Sequence, residues 1–168
     1  MRVPSLYLDL DGVLADFDAG FPRIFGEDHR HIGEERMWEL VKGRPDFFAE
    51  LHPFEGAVSF FNVVRALRPS ILTAAPKVDY MNAANAKRRW VRAHIDAEVP
   101  VLPVMGGRNK PAFIQRPGDV LVDDYGRNCE LWTEAGGVAI KHEPGDFLST
   151  LHQLEAIYGS ASYWGIAA

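Results

Sequence analysis

Leu6-Tyr7-Leu8-Asp9-Leu10-Asp11-Gly12-Val13-Leu14-Ala15-Asp16-Phe17 is an apolar run that ends on two aspartates, two residues apart, and then a glycine. The run reads as a buried strand with both carboxylates at its carboxyl end. Folding alone gives little reason for that pair, because each carboxylate is costly to desolvate and the two repel one another. A bound divalent cation relieves both costs. The carboxyl edge of a parallel sheet is also where open α/β proteins place their ligands. On its own the stretch also fits a strand followed by an acidic turn. An EF-hand loop is disfavoured, since its third acidic position and closing glutamate are missing and a strand precedes it.

Three later stretches weigh against the simple turn. Ser70-Ile71-Leu72-Thr73-Ala74-Ala75-Pro76 is a short apolar strand ending on a hydroxyl. Gly106-Gly107-Arg108-Asn109-Lys110-Pro111 places a lysine in the loop after the apolar run Val99 to Met105. Asp119-Val120-Leu121-Val122-Asp123-Asp124 is another strand ending on paired carboxylates. The order is Asp-x-Asp, Thr, Lys, Asp-Asp, each just after a candidate strand. In that order the chain resembles the haloacid-dehalogenase-like (HAD) phosphohydrolases, whose four motifs follow the same sequence. The resemblance runs from Leu6 to about Ile140.

Composition sets the outer bounds. The 168 residues suffice for one domain with a real core plus a small insertion. With 47% apolar and 24% charged residues the chain has a globular, not a disordered, composition. A formal net charge of −5 gives no general attraction to nucleic acid or to anionic membranes, so an anionic substrate needs local positive charge. Cys129 is the single cysteine, which excludes an intramolecular disulfide and suits a reducing compartment. It is read as a small residue on a helix after Asp124. No apolar stretch reaches membrane-spanning length, and Asp9 and Asp11 interrupt any signal-peptide pattern. A cytoplasmic protein is expected.

Short apolar segments bounded by Gly, Pro or Asp predict strands at about 5–10, 70–74, 99–104, 119–123 and 137–141. Helical spacing appears between them. Glu55 to Leu67 carries Val58, Phe61, Val64 and Leu67 on one side and stops at Arg68-Pro69. Asp79 to Ile95 has Asp79 as its expected N-cap and Tyr80, Ala83, Ala84, Trp90, Val91 and Ile95 on its apolar side. Its run Lys87, Arg88, Arg89 is read as a solvated helix face. Asp146 to Tyr158 repeats the pattern, with Gly159 as the stop. Strands alternating with helices predict a doubly wound parallel sheet. The interval Asp16 to Leu67 is too long for one crossover helix and contains short helical pieces at Phe17–Phe25, Glu34–Lys42 and Pro45–Leu51. The tail from Ser160 to Ala168 carries no readable role.

The resemblance implies an α/β fold of HAD-like Rossmannoid type, three layers α/β/α around a parallel sheet, with a small helical cap inserted after the first strand. Residues 1–15 and 68–168 are then the core, and residues 16–67 the cap insertion with its return helix. Asp9 is the expected nucleophile, attacking phosphorus to form an aspartyl-phosphate. Asp11 is the expected acid for the leaving oxygen and base for the attacking water. Gly12 permits the sharp turn that lets Asp11 offer its main-chain carbonyl to a metal. An all-oxygen set suits Mg²⁺, with Asp9, Asp11 and Asp124 as ligands and Asp123 as a supporting carboxylate. Residue types alone do not separate Asp123 from Asp124. Thr73, Ala74 and Lys110 are the expected phosphate contacts, with Thr73 and Lys110 also catalytic. Arg108, Asp16, Asp18, His29, His31 and His52 are read as surface, helix-start or capping residues.

Within the superfamily the chain resembles the 5′(3′)-deoxyribonucleotidases. The residues that carry this are Asp9 to Phe17, the stretch Asp46-Phe47-Phe48-Ala49-Glu50-Leu51-His52-Pro53-Phe54-Glu55-Gly56-Ala57-Val58, and Arg89-Trp90-Val91. The resemblance implies that Phe17 helps hold a nucleobase, and an aromatic face beside a phosphate site is suited to stacking. Helical spacing equally allows Phe17, Phe21 and Phe25 to form a core stripe; Trp38, another cap aromatic, either borders the pocket or, the favoured reading, packs in the core. The chain departs from the family pattern in a shorter cap and in Ala74, where a hydroxyl is usual. The reading is a Mg²⁺-dependent phosphomonoester hydrolase, a 5′-nucleotidase for (deoxy)nucleoside monophosphates. It expects a small phosphorylated substrate, no nucleic acid polymer and no membrane partner, and it allows a homodimer. A phosphatase for a sugar phosphate or phosphoglycolate, and a non-catalytic binding domain on the same fold, are the competing readings.

Overall fold

In the computed structural model, which describes residues 3–164, the apolar run at the N-terminus becomes the middle strand of a sheet. This strand, β1 (Leu6–Leu8), pairs in parallel on one side with β2 (Ser70–Ala75) and on the other with β4 (Val120–Asp123). Beyond β2 lies β3 (Val101–Met105), and beyond β4 lies β5 (Val138–Lys141). The order β3-β2-β1-β4-β5 is a five-stranded, wholly parallel sheet. Its register sets Leu8 against both Ile71 and Val122, so Asp9, Thr73 and Asp123 leave the same edge. The chain departs from β1 toward β2 and only later crosses to β4, which opens a crevice at that edge.

The strand period of two sorts side chains onto two faces. Leu6, Leu8, Ile71, Val120, Val122 and Ile140 pack into the larger core with helices α3 (Ala57–Val64), α4 (Tyr80–His94) and α6 (Phe147–Tyr158). Tyr7, Leu72, Val104 and Leu121 face the other way, onto Trp132 of α5 (Gly126–Glu134) and Phe113. A three-layer α/β/α arrangement follows from this split. Cys129 is buried on α5, as expected for a small residue there, and burial pushes its thiol up to about 11.

The interval 16–67 folds into short elements. α1 (Phe17–Phe25) is capped by Asp16, whose carboxylate accepts from the Ala19 amide at 2.9 Å. It ends at Gly26 in the left-handed region, φ 71°. α2 (Glu34–Lys42) follows, then a 3-10 turn at Phe47–Glu50 in place of the expected third helical piece. The segment leaves and rejoins the core side by side, because the Asp16 amide donates to His52 and the Phe54 amide donates to Leu14, each at 2.9 Å. Trp90 reaches across from α4 to donate its indole N–H to the Leu51 carbonyl at 2.7 Å. Phe17, Phe21, Phe25, Phe47 and Phe48 form one aromatic cluster, and His29 packs edge-on against Phe17 and Phe21. His29 is therefore half-buried and not a surface residue.

Two smaller expectations are corrected. Asp79 precedes α4 but does not cap it with its side chain, which accepts instead from the Asn82 amide group. The helix predicted over 55–67 is α only at Ala57–Val64 and tightens to a 3-10 turn at Arg65–Leu67. Arg68 then takes a left-handed conformation, φ 52°, just ahead of Pro69. Of the tail from Ser160, residues 165–168 lie outside the described residues.

Candidate active site

Asp9 follows β1 directly, and its amide donates to Val122 on the neighbouring strand at 2.9 Å. The main chain then turns tightly, with the Leu10 carbonyl accepting from Leu14 at 2.8 Å and from Ala15 at 2.9 Å. Gly12 makes this turn at φ 79°, and a Cβ there would fall 2.2 Å from Asp124 Oδ2. The position thus requires glycine twice, for backbone conformation and for close approach of a carboxylate.

Lys110 lies in the 3-10 run Gly107–Phe113 and is fully buried. Its ammonium sits 2.9 Å from Asp9 Oδ1 and 2.6 Å from Asp123 Oδ2. Burial alone would lower the pKa of Lys110, but Asp9 and Asp123 together outweigh it and raise the value. Asp123 accepts from the Tyr125 amide at 2.9 Å and from the Asn128 side chain at 3.1 Å as well. Its oxygens are occupied by protein donors, whereas no protein side chain donates to Asp124 among the described residues. The two neighbours therefore differ in their hydrogen bonding, which residue types could not show.

One group inside the site contradicts the sequence reading. Lys87, expected on a solvated helix face, is buried at 1% exposure. Its ammonium donates to Asp11 Oδ2, to Thr73 Oγ1 at 3.0 Å and to the Ala74 carbonyl at 2.7 Å, and lies 4.3 Å from the Phe48 ring centroid. All three of its donors are used, which is the condition for burying an ammonium at acceptable cost. Only Arg88 and Arg89 of that run stay outside, Arg89 pairing with Asp46. Spacing held the missed signal: Lys87 lies four residues after Ala83 and three before Trp90, inside the apolar stripe of α4.

The expected residues Asp9, Asp11, Thr73, Ala74, Lys110, Asp123 and Asp124 thus all meet at the carboxyl edge of the sheet. Carboxylate oxygens of Asp9, Asp123 and Asp124 lie within 4.8 Å of one another. Burial, then Asp9, raises Asp123 to about 6; burial, then Asp9 and Asp123, raises Asp124 to about 7. Concentrated negative charge with one carboxylate to which no side chain of the described residues donates, beside a glycine that leaves it room, fits a small divalent cation with oxygen ligands. Asp11 is also raised, by burial first, against the opposing pull of Lys87. Its Oδ2 accepts from Lys87 while Oδ1 has no hydrogen-bond partner, and the side chain is not part of the carboxylate cluster.

A cavity of about 250 Å³ opens over Asp9, Asp11, Gly12 and Asp124, with Phe17 and Phe54 among its walls. A larger one of about 610 Å³ continues from Asp11 and Lys87, walled by Phe17, Trp38, Phe48 and Ala74. Phe17 belongs to both the aromatic cluster and the cavity wall. Trp38 packs against the core, as favoured, and borders the cavity too, the alternative allowed for it.

Solved structures similar to this fold include HAD family enzymes. A HAD family enzyme from Bacteroides thetaiotaomicron, crystallised with magnesium and inorganic phosphate, matches with a TM-score of 0.52 at 14% identity, over 86% of this chain and 96% of that one. The family model described as 5′ nucleotidase, deoxy (Pyrimidine), cytosolic type C protein matches residues 32–142. The human 5′(3′)-deoxyribonucleotidase, cytosolic type, is 30% identical over 147 residues, covering 73% of this chain and 71% of that protein. A putative 5′(3′)-deoxyribonucleotidase from Bordetella bronchiseptica is 29% identical over 139 residues, covering 71% and 73%. The chain belongs to the 5′(3′)-deoxyribonucleotidase family of HAD phosphoric monoester hydrolases. Among the described residues no helix is long and apolar enough to cross a membrane.

Proposed function

We propose that this protein hydrolyses (deoxy)nucleoside monophosphates through an aspartyl-phosphate on Asp9. The observation that carries the reading is the junction at the sheet edge. There Asp9, Asp11 and Asp124 line one small cavity, Lys110 is buried against Asp9 and Thr73 against Lys87, and an aromatic-walled cavity of about 610 Å³ continues from it. The first is suited to a phosphoryl group and the second to a nucleoside.

Asp9 Oδ1 is held by Lys110 and by the Leu10 amide at 2.8 Å, which fixes the carboxylate for attack on phosphorus. Asp11 gives its proton to the leaving oxygen as the phosphorus–oxygen bond breaks, and later takes a proton from the water that attacks the phospho-aspartate. Burial raises Asp11 toward the protonated form that the first step needs. Lys87 restrains that rise and fixes the rotamer of Asp11, and so acts as a positioning residue. Thr73 Oγ1 accepts from Lys87, leaving its own proton to donate to a phosphoryl oxygen. Mg²⁺ would be held by Asp9, Asp124 and the main-chain carbonyl of Asp11, with Asp123 holding Lys110; when bound it supplies positive charge for the phosphoryl oxygens. Residues 16–67 serve as the cap and return helix, and Phe17 stacks on the base. A cytoplasmic location goes with this reading.

Phosphate release measured across nucleoside monophosphates, sugar phosphates and phosphoglycolate, with and without Mg²⁺, tests it. The expected result is turnover that needs Mg²⁺ and favours nucleotides. Preference for a sugar phosphate would transfer the site to the competing phosphatase reading, and no turnover of any ester would overturn catalysis.

A further inference from the structure

On the side of the catalytic cleft away from α2, an open cavity of about 540 Å³ is bordered by Lys77, Arg108, Tyr125 and Arg127. It shares the wall formed by Ala74, Gly106, Gly107 and Tyr125 with the cavity assigned above to the nucleoside. Arg127 is neutralised by Glu130 at 2.9 Å and Glu134 at 3.7 Å. Lys77 and Arg108 have no carboxylate partner among the described residues, although acidic residues outnumber basic ones 23 to 18. Nothing in the mechanism above uses either of them.

We propose that this cavity is a subsite for a second phosphoryl group carried on the same substrate, so that the protein accepts bisphosphorylated esters such as a nucleoside 3′,5′-bisphosphate. The proposal rests on the reading of Asp9 as phosphoryl acceptor. Arg108 offers a planar fork and Lys77 a point charge, the two recognition modes that suit a phosphate dianion. Tyr125, exposed at 63%, stands between the two cavities with a hydroxyl free to donate. The Gly106-Gly107 segment keeps the shared wall low: Gly106 takes φ 78° with no atom near its missing Cβ. A phosphoryl group at Asp9 and another beside Arg108 can therefore belong to one ligand lying across Ala74 and Gly106.

The test compares steady-state kinetics of the wild type and the double variant Lys77→Gln, Arg108→Gln. The substrate pairs are a nucleoside 5′-monophosphate with its 3′,5′-bisphosphate, and glucose 6-phosphate with glucose 1,6-bisphosphate. In the wild type the bisphosphate is expected to have a KM about tenfold lower, the worth of a charge-assisted hydrogen bond at a partly exposed site. That advantage is lost in the double variant, while monophosphate kinetics and melting temperature stay unchanged. Equal KM values within both pairs in the wild type would overturn the subsite. So would equal losses on mono- and bisphosphates in the variant, since the two cations would then only attract anions in general. If the nucleotide pair is inert and the sugar pair is turned over, the nucleotide reading has failed and the sugar pair still decides the subsite. If neither pair is turned over, calorimetric binding of the same four compounds decides it by the same comparison.

Discussion

Lys87 and Asp11 stand 76 positions apart in the chain, and their side chains meet as an ion pair at the base of the cleft. The same ammonium holds Thr73 and the Ala74 carbonyl, so a single residue of α4 ties the end of β2 to the turn after β1. Removing one member of such a pair leaves the other with an uncompensated burial cost, on the order of 3–5 kcal/mol.

Lys87→Gln is accordingly expected to lower the melting temperature and to reduce kcat by about tenfold to a hundredfold, a part of the roughly 10²–10⁴-fold that the acid–base group it positions contributes. Lys87 lowers the pKa of Asp11, so its loss raises that pKa further and moves the alkaline limb of the kcat/KM profile upward. A pH–rate profile checks this. A variant that loses stability but keeps the wild-type limb would show Lys87 to be structural only.

The acidic cluster gives a prediction in pH and metal together. A carboxyl whose folded-state pKa is raised stabilises the fold below its unfolded value and loses that contribution as pH rises through the folded value. Asp123, near 6, and Asp124, near 7, both behave so, and the metal-free protein should lose stability from about pH 4 to pH 7. Mg²⁺ should raise the melting temperature more at about pH 8 than at about pH 5, because protons compete for Asp124 at the lower pH. Asp124→Ala should increase the Mg²⁺ requirement more than Asp123→Ala, whereas Asp123→Ala should cost more stability by stranding Lys110. Titrating each variant with Mg²⁺ by thermal shift and by activity separates the two roles; the reverse order would exchange them.

Phe17 lies in the aromatic cluster and on the wall of both catalytic cavities. Phe17→Ala should slow nucleotide turnover about tenfold to a hundredfold, from roughly 1–3 kcal/mol of base stacking. A small alkyl phosphate, having no base, should be turned over at nearly the wild-type rate. Equal losses on both substrates with a lower melting temperature would make Phe17 only a packing residue of the aromatic cluster.

The sheet was legible because each strand is a short apolar run punctuated by Gly, Pro or Asp, and because Asp9, Thr73, Lys110 and Asp123 each follow such a run. α1 and α2 were legible from helical spacing between Asp16 and Gly26 and between Gly33 and Gly43. Lys87 was misread because side-chain type outweighed position: neighbouring Arg88 and Arg89 suggested solvent, while Ala83, Trp90 and Val91 fixed that side of the helix inward. The different hydrogen bonding of Asp123 and Asp124 depends on where Lys110 and Asn128 arrive in space, which one-dimensional spacing does not contain. For Trp38 the sequence left core packing and cavity lining open, and α2 docks near Pro76 and Phe48 so that the residue does both.

The most direct test of the account is rapid acid quenching of the protein with Mg²⁺ and a nucleoside monophosphate, followed by peptide mass analysis. One added phosphoryl group is expected on the peptide containing Asp9, and none in a folded Asp9→Asn protein, which also releases no phosphate. A phosphoryl group on another residue, or wild-type phosphate release by Asp9→Asn, would contradict it.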